Sequence, residues 1–131
     1  MAVRRCLLEL GTGVDLHGQD ATKAARRAVF DALRHSSVAF PRIFGYAPDQ
    51  MLVDVTIAVP YPETVVRDEV LEELPYGTKS INVIEGGIEV PGAEPGRDST
   101  IVANAAIVVR TPTSTGLCTP RAPAIDASGP T

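Results

Sequence analysis

Thr100-Ile101-Val102-Ala103-Asn104-Ala105-Ala106-Ile107-Val108-Val109-Arg110 is the stretch that decides the fold. One alternate set, Ile101, Ala103, Ala105, Ile107 and Val109, is wholly apolar, and the other holds Val102, Ala106 and Val108. Successive side chains of a strand point to opposite faces, so apolar residues in both sets predict a strand buried on two sides. A layer of helices covers one side. A chain of 131 residues has little left for a second layer, because a domain of this size builds one core. The expectation is a sheet whose other face is buried against another subunit.

The clearest strand upstream is 51–59, where Met51, Val53, Val55, Ile57 and Val59 alternate with Leu52, Asp54, Thr56 and Ala58. Residues 3–10 alternate less cleanly and predict a first strand, which Gly11-Thr12-Gly13 breaks. A helix follows from Asp20, its N-cap, to Ser36, with Ala21, Ala25, Ala28, Val29, Ala32 and Ser36 as a small-residue stripe suited to close approach to a sheet. Residues 37–50 read as a long ordered connection. Val66, Val70, Leu71 and Leu74 mark a second helix over 63–74, closed by Pro75-Tyr76-Gly77. Residues 79–90 predict a strand with a bulge at Gly86-Gly87. The order β-α-β-α-β-β implies a two-layer α+β fold, a mixed four-stranded sheet with two helices on one face. Residues 1–110 form the single domain of this reading, and 111–131, rich in Pro, Ser and Thr, a flexible tail.

Composition narrows the function. Twelve basic against sixteen acidic residues give a net charge of −4 and pI ≈ 5.1, which argues against nucleic acid as a partner. No apolar run reaches the ~18 residues of a membrane helix, and Met1-Ala2-Val3-Arg4-Arg5 opens no signal-peptide h-region. With only Cys6 and Cys118, a reducing cytoplasm is the expected compartment. Cys6 reads as a small buried hydrophobe.

The densest cluster of chemistry-bearing residues is Gly11-Thr12-Gly13-Val14-Asp15-Leu16-His17-Gly18-Gln19-Asp20. In an extended chain Asp15 and His17 share a face, and a carboxylate beside an imidazole orients the ring and raises its basicity. His17 is thus the candidate acid/base residue, with Asp15 as its orienter. Gly11, Gly13 and Gly18 are candidates for a backbone cradle that binds an anionic substrate near the helix start. The alternative is that the whole run only shapes a strand-to-helix turn.

Gly11-x-Gly13-x-Asp15-x-His17-Gly18 resembles the GxGxDxHG motif of a small "Lin-type" family of conserved hypothetical proteins. The resemblance continues through Gln19-Asp20, Thr22-Lys23-Ala24-Ala25, Arg27-Ala28-Val29, His35-x-Ser37, Pro75-Tyr76-Gly77 and Gly86-Gly87, so it covers roughly residues 3–110. It implies no activity. The element order is also similar to the trimeric fold of the non-helical chorismate mutases and small imine deaminases, which implies a trimer with sites between subunits.

Glu85, before the paired glycines, is a further candidate catalytic carboxylate. Arg110 is a candidate for binding a substrate carboxylate. His35 reads as a helix C-terminal cation, and Asp54 as part of a polar pocket or the solvent face. Asp15 and His17 fall short of the three protein ligands a stable metal site needs, so no metal or cofactor is expected. These readings combine into an oligomeric enzyme, trimeric by preference, doing proton-transfer chemistry (isomerisation, cyclisation or addition/elimination) on a small polar or anionic metabolite. The alternatives are a non-catalytic ligand-binding or assembly module and a metal-dependent hydrolase.

Overall fold

The computed structural model describes residues 3–34, 51–75, 77–94 and 98–112, of which 3–7, 111 and 112 are described by their backbone alone. Its elements are β1 (Val3–Asp15), α1 (Ala21–Arg34), β2 (Leu52–Val59), a 3-10 turn (Pro62–Thr64), α2 (Arg67–Leu71), β3 (Thr78–Glu85), β4 (Ile88–Val90) and β5 (Thr100–Pro112). The sheet runs in the order β1-β5-β2-β3, with β4 also paired to β5. β5 is antiparallel to β1, β2 and β4, while β2 and β3 are parallel. The fold is α+β, with a mixed, open five-stranded sheet and two α-helices among the described residues.

The period-two pattern of β2 is realised without a fault. Met51, Val53, Val55, Ile57 and Val59 are buried toward the helices, and the intervening side chains are half-buried on the opposite face. β5 repeats this with Ile101, Ala103, Ala105, Ile107 and Val109. α1 supplies Ala21, Ala24, Ala25, Ala28, Val29 and Ala32 to the same core, and Val70 and Leu74 close it from the α2 side. Thr22 ties the layers: its hydroxyl accepts from the Val66 amide at 2.9 Å and donates to the Thr64 carbonyl at 3.4 Å.

Three expectations are corrected. Gly11 and Gly13 do not end the first strand. β1 continues through them to Asp15, with Gly11 opposite Ala105 and Asp15 opposite Ile101. The Gly86-Gly87 pair is not a bulge within one strand but a change of lane: β3 ends at Glu85 beside Val59, and β4 restarts beside Val102. The cause is Pro60, which has no amide to donate. Pairing of β2 with β5 stops at Ala58–Asn104, and β4 takes up the next stretch of β5. The sheet therefore has five strands rather than four. The second helical segment is shorter than 63–74, split into the 3-10 turn and α2.

Among the described residues, the second face of the sheet carries no helix. Val102, Ala106 and Val108 are half-buried and Asn104 is exposed. Among the described residues no helix is long and apolar enough to cross a membrane. The connection at 37–50 and the tail beyond Pro112 lie outside the described residues, as do His35, Ser36, Ser37, Tyr76 and Cys118.

Candidate functional site

β1, β2 and β3 run in one direction, so their C-terminal ends, the start of β5 and the start of α1 meet at one end of the sheet. The motif lies there, and each of its residues has a definable place.

Gly11 and Gly13 face α1. A Cβ on Gly11 would lie 2.3 Å from the Ala32 nitrogen and 2.4 Å from the Ala28 oxygen; on Gly13 it would lie 2.2 Å from both the Ala24 oxygen and the Ala28 nitrogen. Helix backbone occupies the space, so these glycines allow contact between helix and strand and present no cradle to a ligand. The close approach also brings α1 side chains to the outer edge of β1. Asp31 accepts from the Thr12 amide at 2.9 Å, and Arg27 donates to the Val14 carbonyl at 2.6 Å.

Asp15 is buried, 4% exposed. Its Oδ2 accepts from the Asp20 amide at 2.9 Å, which folds Leu16–Gln19 back over it, and Arg27 and Lys23 stand 3.7 and 3.9 Å from Oδ1. Gly18 passes so near that a Cβ would sit 2.9 Å from Oδ2. Gln19 takes a left-handed conformation, φ 51°, completing the reversal. Asp20 then caps α1 as expected, its Oδ1 accepting from the Lys23 amide at 3.1 Å. Asp15 is therefore a loop anchor.

His17 takes a different carboxylate. Its Nδ1 lies 2.5 Å from Oδ1 of Asp98, which sits just before β5 with φ 64°. The imidazole side chain is 76% exposed. The loop that holds it is fastened by the Thr100 hydroxyl, which donates to the Leu16 carbonyl at 3.1 Å. The geometry thus contains a carboxylate–imidazole dyad of the expected chemistry but with Asp98, 81 positions away, as orienter in place of Asp15. No spacing rule could have found that partner, because the pairing of β1 with β5 alone brings it near.

Glu85 and Arg110 are not brought to the dyad. Glu85 ends β3, two lanes beyond β5, and lines a cleft of about 410 Å³ with Tyr61, Glu63 and Glu89. There the Tyr61 hydroxyl donates to Glu89 at 2.5 Å, which holds the phenol above its ordinary pKa. Arg110 lies at the other end of β5, nine residues from Ile101, a span of roughly 30 Å. It pairs with Asp54 at 2.7 Å, and Asp54 also accepts from the Ser80 hydroxyl at 2.6 Å. A small substrate cannot touch His17 and Arg110 of one protomer together. A second cleft, about 450 Å³, runs between α1 and α2 over Arg26, whose ion pair with Glu73 at 2.7 Å ties α1 to the turn after α2. Among the described residues no group of three or more His, Cys, Asp or Glu side chains is placed to hold a metal ion.

Comparison with known proteins adds the following. A family model described as "Conserved hypothetical protein (Lin0512_fam)" matches residues 5–109. The crystal structure of an FtsZ-like protein of unknown function from Nostoc punctiforme PCC 73102 is similar, with 39% identity and a TM-score of 0.77 over 85% of this chain and 98% of that one. Among curated proteins none matches.

Proposed function

This chain belongs to the Lin0512_fam family of conserved hypothetical proteins, and we propose that it is a homo-oligomeric small-molecule enzyme whose His17–Asp98 dyad transfers protons on a small polar or anionic metabolite. The observation that carries the reading is the dyad itself. Gly11, Gly13, Asp15 and Gly18 are each used by the fold, whereas the His17 ring is 76% exposed and its described side-chain hydrogen bond is to Asp98. With Nδ1 held by a carboxylate, the other ring nitrogen, Nε2, is the one to exchange a proton with a substrate, the arrangement a general acid/base needs. Isomerisation, cyclisation or addition/elimination fits such a group. A trimer, as the topological resemblance implies, would wall the exposed ring with a neighbouring subunit.

An exposed ion pair contributes at most about 1 kcal/mol to stability. His17→Ala and Asp98→Asn are therefore expected to melt within a few degrees of the native chain. Histidine resonances followed by NMR during titration with small carboxylates and phosphates should identify a binder through His17. Turnover of that binder or its chemical relatives should then fall about 100- to 10,000-fold in His17→Ala. Full turnover without His17 would remove the assignment.

A second reading is an assembly module in which the motif is structural throughout. The backbone contacts at Gly11 and Gly13 favour it. It predicts that the His17 and Asp98 variants lower the melting temperature or disrupt the oligomer, with no ligand found.

A further inference from the structure

We infer that copies of this chain meet through the helix-free face of the sheet. This rests on the oligomeric part of the proposed function and not on the dyad, so a monomeric chain would overturn the one and leave the other standing.

The face is apolar across β1, β5 and β4. Leu10 is 61% exposed and Leu8 43%, each beside a half-buried β5 residue, Ala106 and Val108. Val102 continues the band, and Ile88, 56% exposed, sits beside it on β4. Large aliphatic side chains clustered in this way on a flat surface mark an interaction site.

Other routes to assembly are obstructed in part. The opposite face is covered by α1 and α2. The outer edge of β1 has its Thr12 amide and Val14 carbonyl bonded by Asp31 and Arg27. On the outer edge of β3, Arg67 donates to the Ile81 carbonyl at 3.4 Å. Edge groups bonded in this way resist strand addition at those points, which favours face-to-face packing.

The polar groups of the face indicate the partner. Asp54 is neutralised by Arg110 and bonded by Ser80. The Thr12 hydroxyl donates to the Asn104 side chain at 3.2 Å. Arg110 Nε is already buried without a hydrogen-bond partner. Among the described side chains the face's one acid and one base, Asp54 and Arg110, pair with each other, so this part of the face matches a second neutral, apolar surface such as its own. The size is also suitable. Four lanes about 4.8 Å apart and about eight residues long cover roughly 500 Å² in projection. The relief of the side chains raises this toward the roughly 800 Å² per partner of a stable interface.

The test is sedimentation equilibrium of the full chain from about 1 to 100 µM, concentrations that bracket a micromolar association. The native chain is expected to associate. Ala106→Glu, which places a charge at the centre of the face, should raise the dissociation constant about 100-fold or more. Leu10→Asp should do the same from an edge position where the monomer leaves the side chain exposed, so its fold does not depend on that residue. Phe30→Glu, on the outer side of α1, should leave association unchanged. Circular dichroism checks that each variant is folded. A monomeric native chain, or an oligomer that survives both folded face variants, would overturn the inference.

Discussion

Alanine at Gly13 is expected to lower the melting temperature by about 12–24 °C, a loss of roughly 3 kcal/mol. The added methyl would lie 2.2 Å from two backbone atoms of α1, the Ala24 oxygen and the Ala28 nitrogen. Neither can rotate away as a side chain would, so the helix must move outward along its contact with β1. That movement would loosen the Asp31 and Arg27 bonds to the strand edge, and would open the layer of alanines at α1's base, where the packing tolerates little change of volume. Gly11→Ala should behave alike, meeting the Ala32 nitrogen at 2.3 Å. Gly18→Ala should cost only about 1 kcal/mol, since its nearest neighbour is the Asp15 carboxylate, a side chain that can shift. Thermal melts of the three variants give the ranking directly. Near-native melting of Gly13→Ala would show that helix and strand are not in the contact described.

Asp15→Ala is expected to cost about 3 kcal/mol, or about 12–24 °C. The substitution leaves the Asp20 amide without its acceptor and leaves Arg27 and Lys23 without the buried carboxylate they approach. Because that carboxylate holds the reversal between β1 and α1, the loss should spread to the helix start and to His17. Asp15→Asn keeps an oxygen for the Asp20 amide and gives up only the charge, so about half the loss is expected. The difference between the two melts separates the hydrogen bond from the electrostatic attraction. Equal melting of both variants and the native chain would deny Asp15 its anchoring role and return it to the list of candidate catalytic groups.

Much of the architecture was readable from local chemistry. The alternation over Met51–Val59 is strict, and strand periodicity translates it directly into a buried and a half-buried face. Asp20 could be read as an N-cap because capping is local to one turn. The glycines are ambiguous in sequence for a physical reason. Gly11-Thr12-Gly13 permits a turn, but it equally permits a straight strand under a helix, and only the position of α1 selects between them. Gly86-Gly87 was ambiguous in the same way until the pairings of β3 and β4 were known. At the site, His17 was recognisable as a candidate because an acid/base side chain stood among small residues, while its carboxylate partner was not. Asp15 was the nearer carboxylate along the chain, yet its oxygen is used by Asp20, and the ring turns to Asp98.

What the sequence by itself determined is therefore the set of strands that carry the core, the helix with its small-residue stripe, and the identity of His17 as a candidate. Each depends on periodicity or on groups within a few residues. Only the tertiary structure decided that β5 lies inside the sheet between β1 and β2, which carboxylate meets His17, and that Glu85 and Arg110 lie away from it. The long apolar stretch from Thr100 to Arg110 belongs to both accounts. Its composition announces burial on two sides, but among the described residues helices cover only one of them. Strand pairing joins residues far apart in sequence, and the field of side chains on the remaining face exists only once those strands have been laid side by side.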